Sequence, residues 1–216
     1  MTTRPFPDPS ILQHPNIPKP LHGLNPRTLL GQSWWDKQRQ RAYLKHMYHC
    51  HACGIHKDEA LYRQYLEAHE YYDIDYARGR MQLTDIVALC YACHNFIHSG
   101  RLYVLLLKGE IPPDRFILIM ERGFANLMAA DLRYHHHSIN VAIQAESYFD
   151  MLGIEVSWDM VFFSPENMPN TLVPGAHNPD EGNVPWGDWR LVIDGKEYAP
   201  LWKTFSDWAE HYANLD

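Results

Sequence analysis

Four cysteines stand as two equal pairs, Cys50-x-x-Cys53 and Cys90-x-x-Cys93, and the chain has no others. Thiolates at this spacing form a knuckle around an ion, and two knuckles a few tens of residues apart complete a tetrahedral four-sulfur site whose expected occupant is zinc. The 36 residues between the pairs hold His69 and Glu70. His94 follows Cys93 directly, and His98 comes four residues later. On a helix that spacing places both imidazoles on one face, within reach of a single divalent ion. His69 falls in a strand that the sulfur clip brings alongside this helix. A neutral imidazole near pH 7 can take a proton from water, so His69 is a candidate general base. Singly, such histidines are more often packing or hydrogen-bonding groups; their placement between and behind two knuckles favours the chemical reading.

The composition permits a folded, water-facing protein. With 46% hydrophobic and 13% aromatic residues in 216, a substantial core can form. No apolar run approaches the length of a membrane span. Met1 to Ser10 contains no apolar stretch of the signal-peptide kind, so a cytoplasmic location is expected, where paired thiols hold metal rather than form disulfides. The net charge of −7 argues against nucleic-acid binding by the surface as a whole. Its distribution is uneven: Pro26 to Arg63 carries seven Lys/Arg against three Asp/Glu, and Glu166 to Asp216 three against nine. One face can therefore be basic while the tail is acidic.

Coarse elements follow from periodicity and turn residues. Residues 1–26 hold seven of the fifteen prolines and read as an extended arm. A helix is expected from Ser33 to about His46, with Asp36 completing an imperfect capping box. It turns Trp34, Trp35 and Leu44 inward and leaves Lys37, Arg39, Arg41 and Lys45 outward, toward solvent or phosphates. The first knuckle, Cys50 to Gly54, precedes a strand at 65–76. Ala77-Arg78-Gly79-Arg80 is a hairpin tip, and a second strand, Met81 to Leu89, delivers Cys90. A helix from Ala92 to about Ser99 follows, with Gly100 placed to end it. Beyond lie amphipathic helices at Pro113 to Leu132 and Ser138 to Leu152, and a long loop over 164–185. A hairpin at Trp189 to Tyr198 turns at Asp194-Gly195, and a closing helix spans Lys203 to Tyr212. The expected fold is α+β. A basic helix leads a zinc-stapled core (27–110), followed by a helical segment (111–163) and a loop with a hairpin-helix lobe (164–216).

Leu66-Glu67-Ala68-His69-Glu70, followed by Leu89-Cys90-x-x-Cys93-His94-x-x-x-His98, resembles the HNH, or ββα-metal, endonucleases, in the branch with a four-cysteine structural zinc. The resemblance covers about residues 45–105. Asn25-Pro-Arg-Thr and Trp34-Trp35-Asp36-Lys37 are similar to the leader that precedes such cores. It implies a ββα-metal core, with His69 as the base that activates water against a phosphodiester. It also implies that His94 and His98 are ligands of a catalytic divalent ion (Mg²⁺, Mn²⁺, Ni²⁺ or Zn²⁺) and that the cysteines hold a separate zinc. Asp85, nine residues before His94, stands where the family has the asparagine of its name. Ala68 stands where many members carry a metal-binding Asp or His. Glu70 or Glu67 is then the nearby carboxylate; strand periodicity puts Glu67 on the face of His69 and Glu70 on the other. Arg78, Arg80 and Arg101, with Lys37, Arg41 and Lys45, are the cations available to phosphates.

Two metal-enzyme alternatives fail on spacing. A zinc peptidase of the HExxH kind needs a histidine at position 73, where Asp73 stands. A zinc deaminase needs H-x-E and P-C-x-x-C, but Glu70 is adjacent to His69 and Leu89 precedes Cys90. The run His135-His136-His137 reads as a polar helix start. The competing expectation is an HNH-like zinc module that binds DNA or a protein partner without cutting. In that case the acidic C-terminal lobe, with Trp186, Trp189, Trp202 and Trp208, is the partner surface or core.

Overall fold

Two β-hairpin signals and several helical ones share this chain, and the computed structural model combines them in an α+β fold. It describes residues 6–132, 136–156 and 184–213. The chain forms two units, each assembled from segments far apart in sequence. The first takes the described parts of Met1–His14, Tyr43–His69 and Ala88–Pro174; the second takes those of Pro15–Ala42, Glu70–Val87 and Gly175–Asp216.

Helix α1 (Pro26–Leu30) begins where the Asn25 side chain accepts the Thr28 N–H at 2.9 Å, with Pro26 at the first helical position. Helix α2 (Gln32–Lys45) buries only Ala42. Asp36 does not cap it; its carboxylate accepts from Gln32 at 2.8 Å and from Arg39 at 2.7 Å. Strands β1 (Leu66–Asp75) and β2 (Arg80–Cys90) are joined through the Arg78-Gly79 turn. Strands β3 (Arg190–Ile193) and β4 (Lys196–Tyr198) complete a four-stranded sheet in the order β1-β2-β3-β4. β3 pairs in parallel with β2 (Arg80 opposite Arg190) and antiparallel with β4 (Ile193 opposite Lys196). The β3–β4 turn lies at Asp194-Gly195, both at positive φ (49° and 77°), as a two-residue hairpin demands. The core of the second unit is Leu21, Tyr72, Met81, Trp189, Leu191 and Ile193.

The first unit packs helices α3 (Tyr91–Ile97), α4 (Ser99–Leu107), α5 (Pro113–Ala129) and α6 (His136–Met151). A last helix, α7 (Phe205–Ala213), belongs to the second unit. Along α5, Phe116, Ile119, Met120, Phe124 and Leu127 recur at helical spacing and are all fully buried. Gly123 interrupts that stripe because the Phe96 ring of α3 fills its place: a Cβ there would lie 2.0 Å from Phe96 Cδ2. Phe96 also meets Phe124 edge-on at 5.2 Å. This packing sets where α3, and with it His94, lies.

Two expectations change. Residues 6–26 are not an extended arm: Pro9–Gln13 and Lys19–Leu21 form 3-10 turns, and Ile11, Leu12 and Leu21 are almost wholly buried. The prolines shape those turns, while the apolar side chains between them supply the burial. Gly100 does not end a helix. α3 stops at Ile97, His98 occupies the break, and Gly100 lies inside α4, where it lets the His137 ring approach. Most of the expected 164–185 loop lies outside the described residues, as does His135.

Gly123→Ala should destabilise the protein by about 1–3 kcal/mol through overpacking against Phe96. Urea unfolding checks this; an unchanged midpoint would mean that α3 can move aside freely.

Candidate metal centre

The first knuckle is shaped by its backbone. Cys50 N–H donates to the Ile55 carbonyl at 2.8 Å and Gly54 N–H to the Cys50 carbonyl at 2.9 Å, with Gly54 at φ +74°. The His51 N–H donates to the Ala88 carbonyl at 2.7 Å and ties this knuckle to the end of β2. There Cys90 is the last residue of the strand and the N-cap of α3, and Cys93 sits in the first helical turn. All four sulfurs lie within 4.8 Å of one another, so the group can hold a metal ion. The Cys53–Cys90 separation is 3.9 Å. Zinc–sulfur bonds of about 2.3 Å in a tetrahedron require sulfurs about 3.8 Å apart. All four thiols are free rather than joined in disulfides. They do not behave alike as thiols: burial pushes Cys50 well up, while the hydrogen bond from Cys50 pulls Cys53 and Cys90 down.

A second group belongs to the same unit. His69, His94 and His98 each present a ring nitrogen, and these nitrogens lie within 4.8 Å of one another. Ring centres are 5.4 Å apart for His69–His94, 5.1 Å for His69–His98 and 4.8 Å for His94–His98. His69 is 4% exposed, yet neither of its ring nitrogens has a hydrogen-bond partner. A buried imidazole left so costs about 1–3 kcal/mol per unsatisfied group. An ion at the centre of the three rings would take up one of those two nitrogens, and neutral imidazoles are good ligands for zinc, nickel and their neighbours. The donor set therefore fits a divalent transition metal.

Electrostatics prepare the same group. Burial and the neighbouring His98, His94 and His14 hold His69 well below ordinary histidine basicity. His98 is pushed down to about 4 by withdrawal from water and by His94. Glu67 Oε2 lies 2.6 Å from His94 Nδ1. Burial alone would raise Glu67; the His94 hydrogen bond and the nearby charges of His94, Arg63 and Arg101 outweigh it and keep the carboxyl low. An ionised carboxylate can only accept, so His94 donates through Nδ1 and keeps the Nε2 lone pair for a metal. Arg63 braces the carboxylate at 3.6 Å and lies 4.7 Å over the Tyr91 ring.

Of the residues singled out from sequence, the structure brings together the four cysteines, and separately His69, His94 and His98. Glu67 makes a carboxylate contact with that trio, in line with its position on the His69 face of β1. Glu70 and Asp85 are half-buried, belong to the second unit and are not part of the trio; Asp85 accepts the Ile86 N–H at 2.9 Å. Arg78 pairs with Asp75 at 3.1 Å and Arg80 with Glu197 at 2.7 Å. Lys37 and Arg41 lie exposed on α2, in the second unit; Lys45, at the end of α2, and Arg101, on α4, are exposed in the first. Arg101 is close enough for its charge to act on His98 and Glu67. The roles of Arg63 and His14 were not anticipated. Arg63 stands four residues before Glu67, a spacing that carries no pairing signal on a loop and strand. Among the described residues no helix is long and apolar enough to cross a membrane. Comparison with protein-family models, with curated proteins and with solved structures gives no match to this chain.

Two outcomes are expected. Cys90→Ser should lower the melting temperature strongly, since metal binding at such a site contributes directly to folding; a melting temperature equal to wild type would refute a structural metal. In metal-free protein, unfolded histidines bind protons below about pH 6.5 while folded His69 and His98 resist them. Its stability should fall as pH drops from 6.5 toward 4, and His98→Gln should flatten that slope in urea titrations at stepped pH.

Proposed function

We propose that the protein is a metal-dependent endonuclease of the HNH, or ββα-metal, type, hydrolysing phosphodiester bonds of nucleic acid, with DNA favoured. The observation that carries this reading is the convergence of His69, His94 and His98 around a space where His69 has two buried nitrogens without a hydrogen-bond partner. The order β1, β2, α3, with cysteines at the strand-to-helix junction, agrees with a ββα-metal core stapled by zinc. Sequence resemblance assigns His69 the role of base. Its burial and depressed basicity suit it better to holding the ion, so all three imidazoles are assigned to that task here.

A divalent ion held there would neutralise charge on the scissile phosphoryl group, stabilise the departing 3′ oxygen and acidify water. The chain's own groups do the rest. Glu67 fixes the tautomer and direction of His94, and Arg63 holds Glu67. Arg101 adds positive charge beside the site. The four cysteines, on this reading, carry a zinc that has no part in the chemistry and keeps β2 and α3 in place. A set of three imidazoles without a direct carboxylate favours Zn²⁺ or Ni²⁺ over Mn²⁺ and Mg²⁺.

Supercoiled plasmid incubated with each ion tests this. Cleavage is expected with the transition metals, weakest with Mg²⁺, and should drop at least about a hundredfold in His94→Ala and His69→Ala. Glu67→Gln should lose about ten- to a hundredfold. Intact plasmid under every ion, with DNA still bound, would instead identify a zinc-stapled binding module.

A further inference from the structure

His14 stands at the three-histidine group although it comes from the proline-rich start of the chain. Its placement is firm. Asp8 caps the Pro9–Gln13 turn by accepting the Ser10 N–H at 3.1 Å, and the Asp8 N–H donates to the His51 carbonyl at 2.7 Å. Ile11 and Leu12, 0% and 2% exposed, are buried where the turn packs on α3 and α5. The His14 N–H then closes the turn on the Ile11 carbonyl at 3.0 Å. The ring that follows lies 5.5 Å from His69, perpendicular to it, as near as the 5.4 Å of His94. It is also near enough for its charge to act on both His69 and His98.

His14 is nonetheless not one of the three rings whose nitrogens share ligand range. It stands one layer out, and it is half-buried where His69 is almost wholly buried. An oxygen bound about 2 Å from an ion, with a hydrogen-bond donor about 2.8 Å beyond it, places that donor about 4–5 Å from the ion. We propose that His14 is a substrate-binding residue that donates a hydrogen bond to a non-bridging oxygen of the phosphoryl group held beside the ion. A neutral imidazole carries one N–H, so the donor role requires no protonation. The proposal rests on the reading of His69, His94 and His98 as an ion site.

The test uses full-length protein whose cysteine site is filled with zinc, titrated with cobalt(II) and then with inorganic phosphate. Wild type, His14→Ala, His14→Gln and His98→Ala are compared by visible absorption. The expected result is that His14→Ala binds cobalt within threefold of wild type and keeps its spectrum, while phosphate affinity falls about tenfold, the loss of one hydrogen bond to a charged group. His14→Gln, which retains an N–H donor, should recover part of that loss. Phosphate affinity equal to wild type in both His14 variants would overturn the proposal. Cobalt binding lost in His14→Ala as in His98→Ala would also overturn it, by making His14 a ligand. Failure of wild type itself to bind cobalt would sink the ion site first, an outcome separate from either.

Discussion

Four sulfurs confined to one small volume impose the main constraint on the first unit. Cys50 and Cys53 come from a tight backbone turn, whereas Cys90 and Cys93 straddle the point where β2 becomes α3. Joining the two through one ion would fix the direction in which α3 leaves the strand, and hence where His94 stands. Structural zinc supplies on the order of 10 kcal/mol in small sites, comparable with the whole stability of a domain. Four free thiols, three of them buried, have no equivalent source of cohesion without an ion. The helix is also secured by Phe96 seated over Gly123 and by the anchored turn that carries Ile11 and Leu12.

The histidine trio shows the complementary arrangement. Two of its members, His69 and His98, are held below ordinary histidine basicity by withdrawal from water and by neighbouring imidazoles, and His69 has no hydrogen bond to compensate. Such an arrangement is unfavourable for an empty protein and favourable for one that takes up a cation, because the same burial that penalises a proton removes competition for the lone pairs. The Arg63–Glu67–His94 chain extends the logic outward, converting a surface arginine and a half-buried carboxylate into control over one imidazole's tautomer.

Local spacing made part of this legible from residues alone. The cysteine pairs and the four-residue step from His94 to His98 encode ligand geometry within a single turn or helix, and Asp194-Gly195 encodes a hairpin because few other dipeptides accept two positive φ values. Strand alternation likewise put Glu67 on the His69 face. What stayed hidden depends on contacts between distant segments. His14 reaches the trio only because Ile11 and Leu12 are buried against helices far away in sequence, whereas proline content points to an extended arm. Gly100 looked like a helix stop, yet it serves an approach by His137 that no local pattern announces. The interleaving of the two units is of the same kind.

Counting the ions is the most direct examination of two separate centres. Native mass spectrometry of protein supplied with zinc should find two ions per chain in wild type and one in His94→Ala, with folding unchanged. A single ion in wild type, or two retained in the variant, would contradict the account.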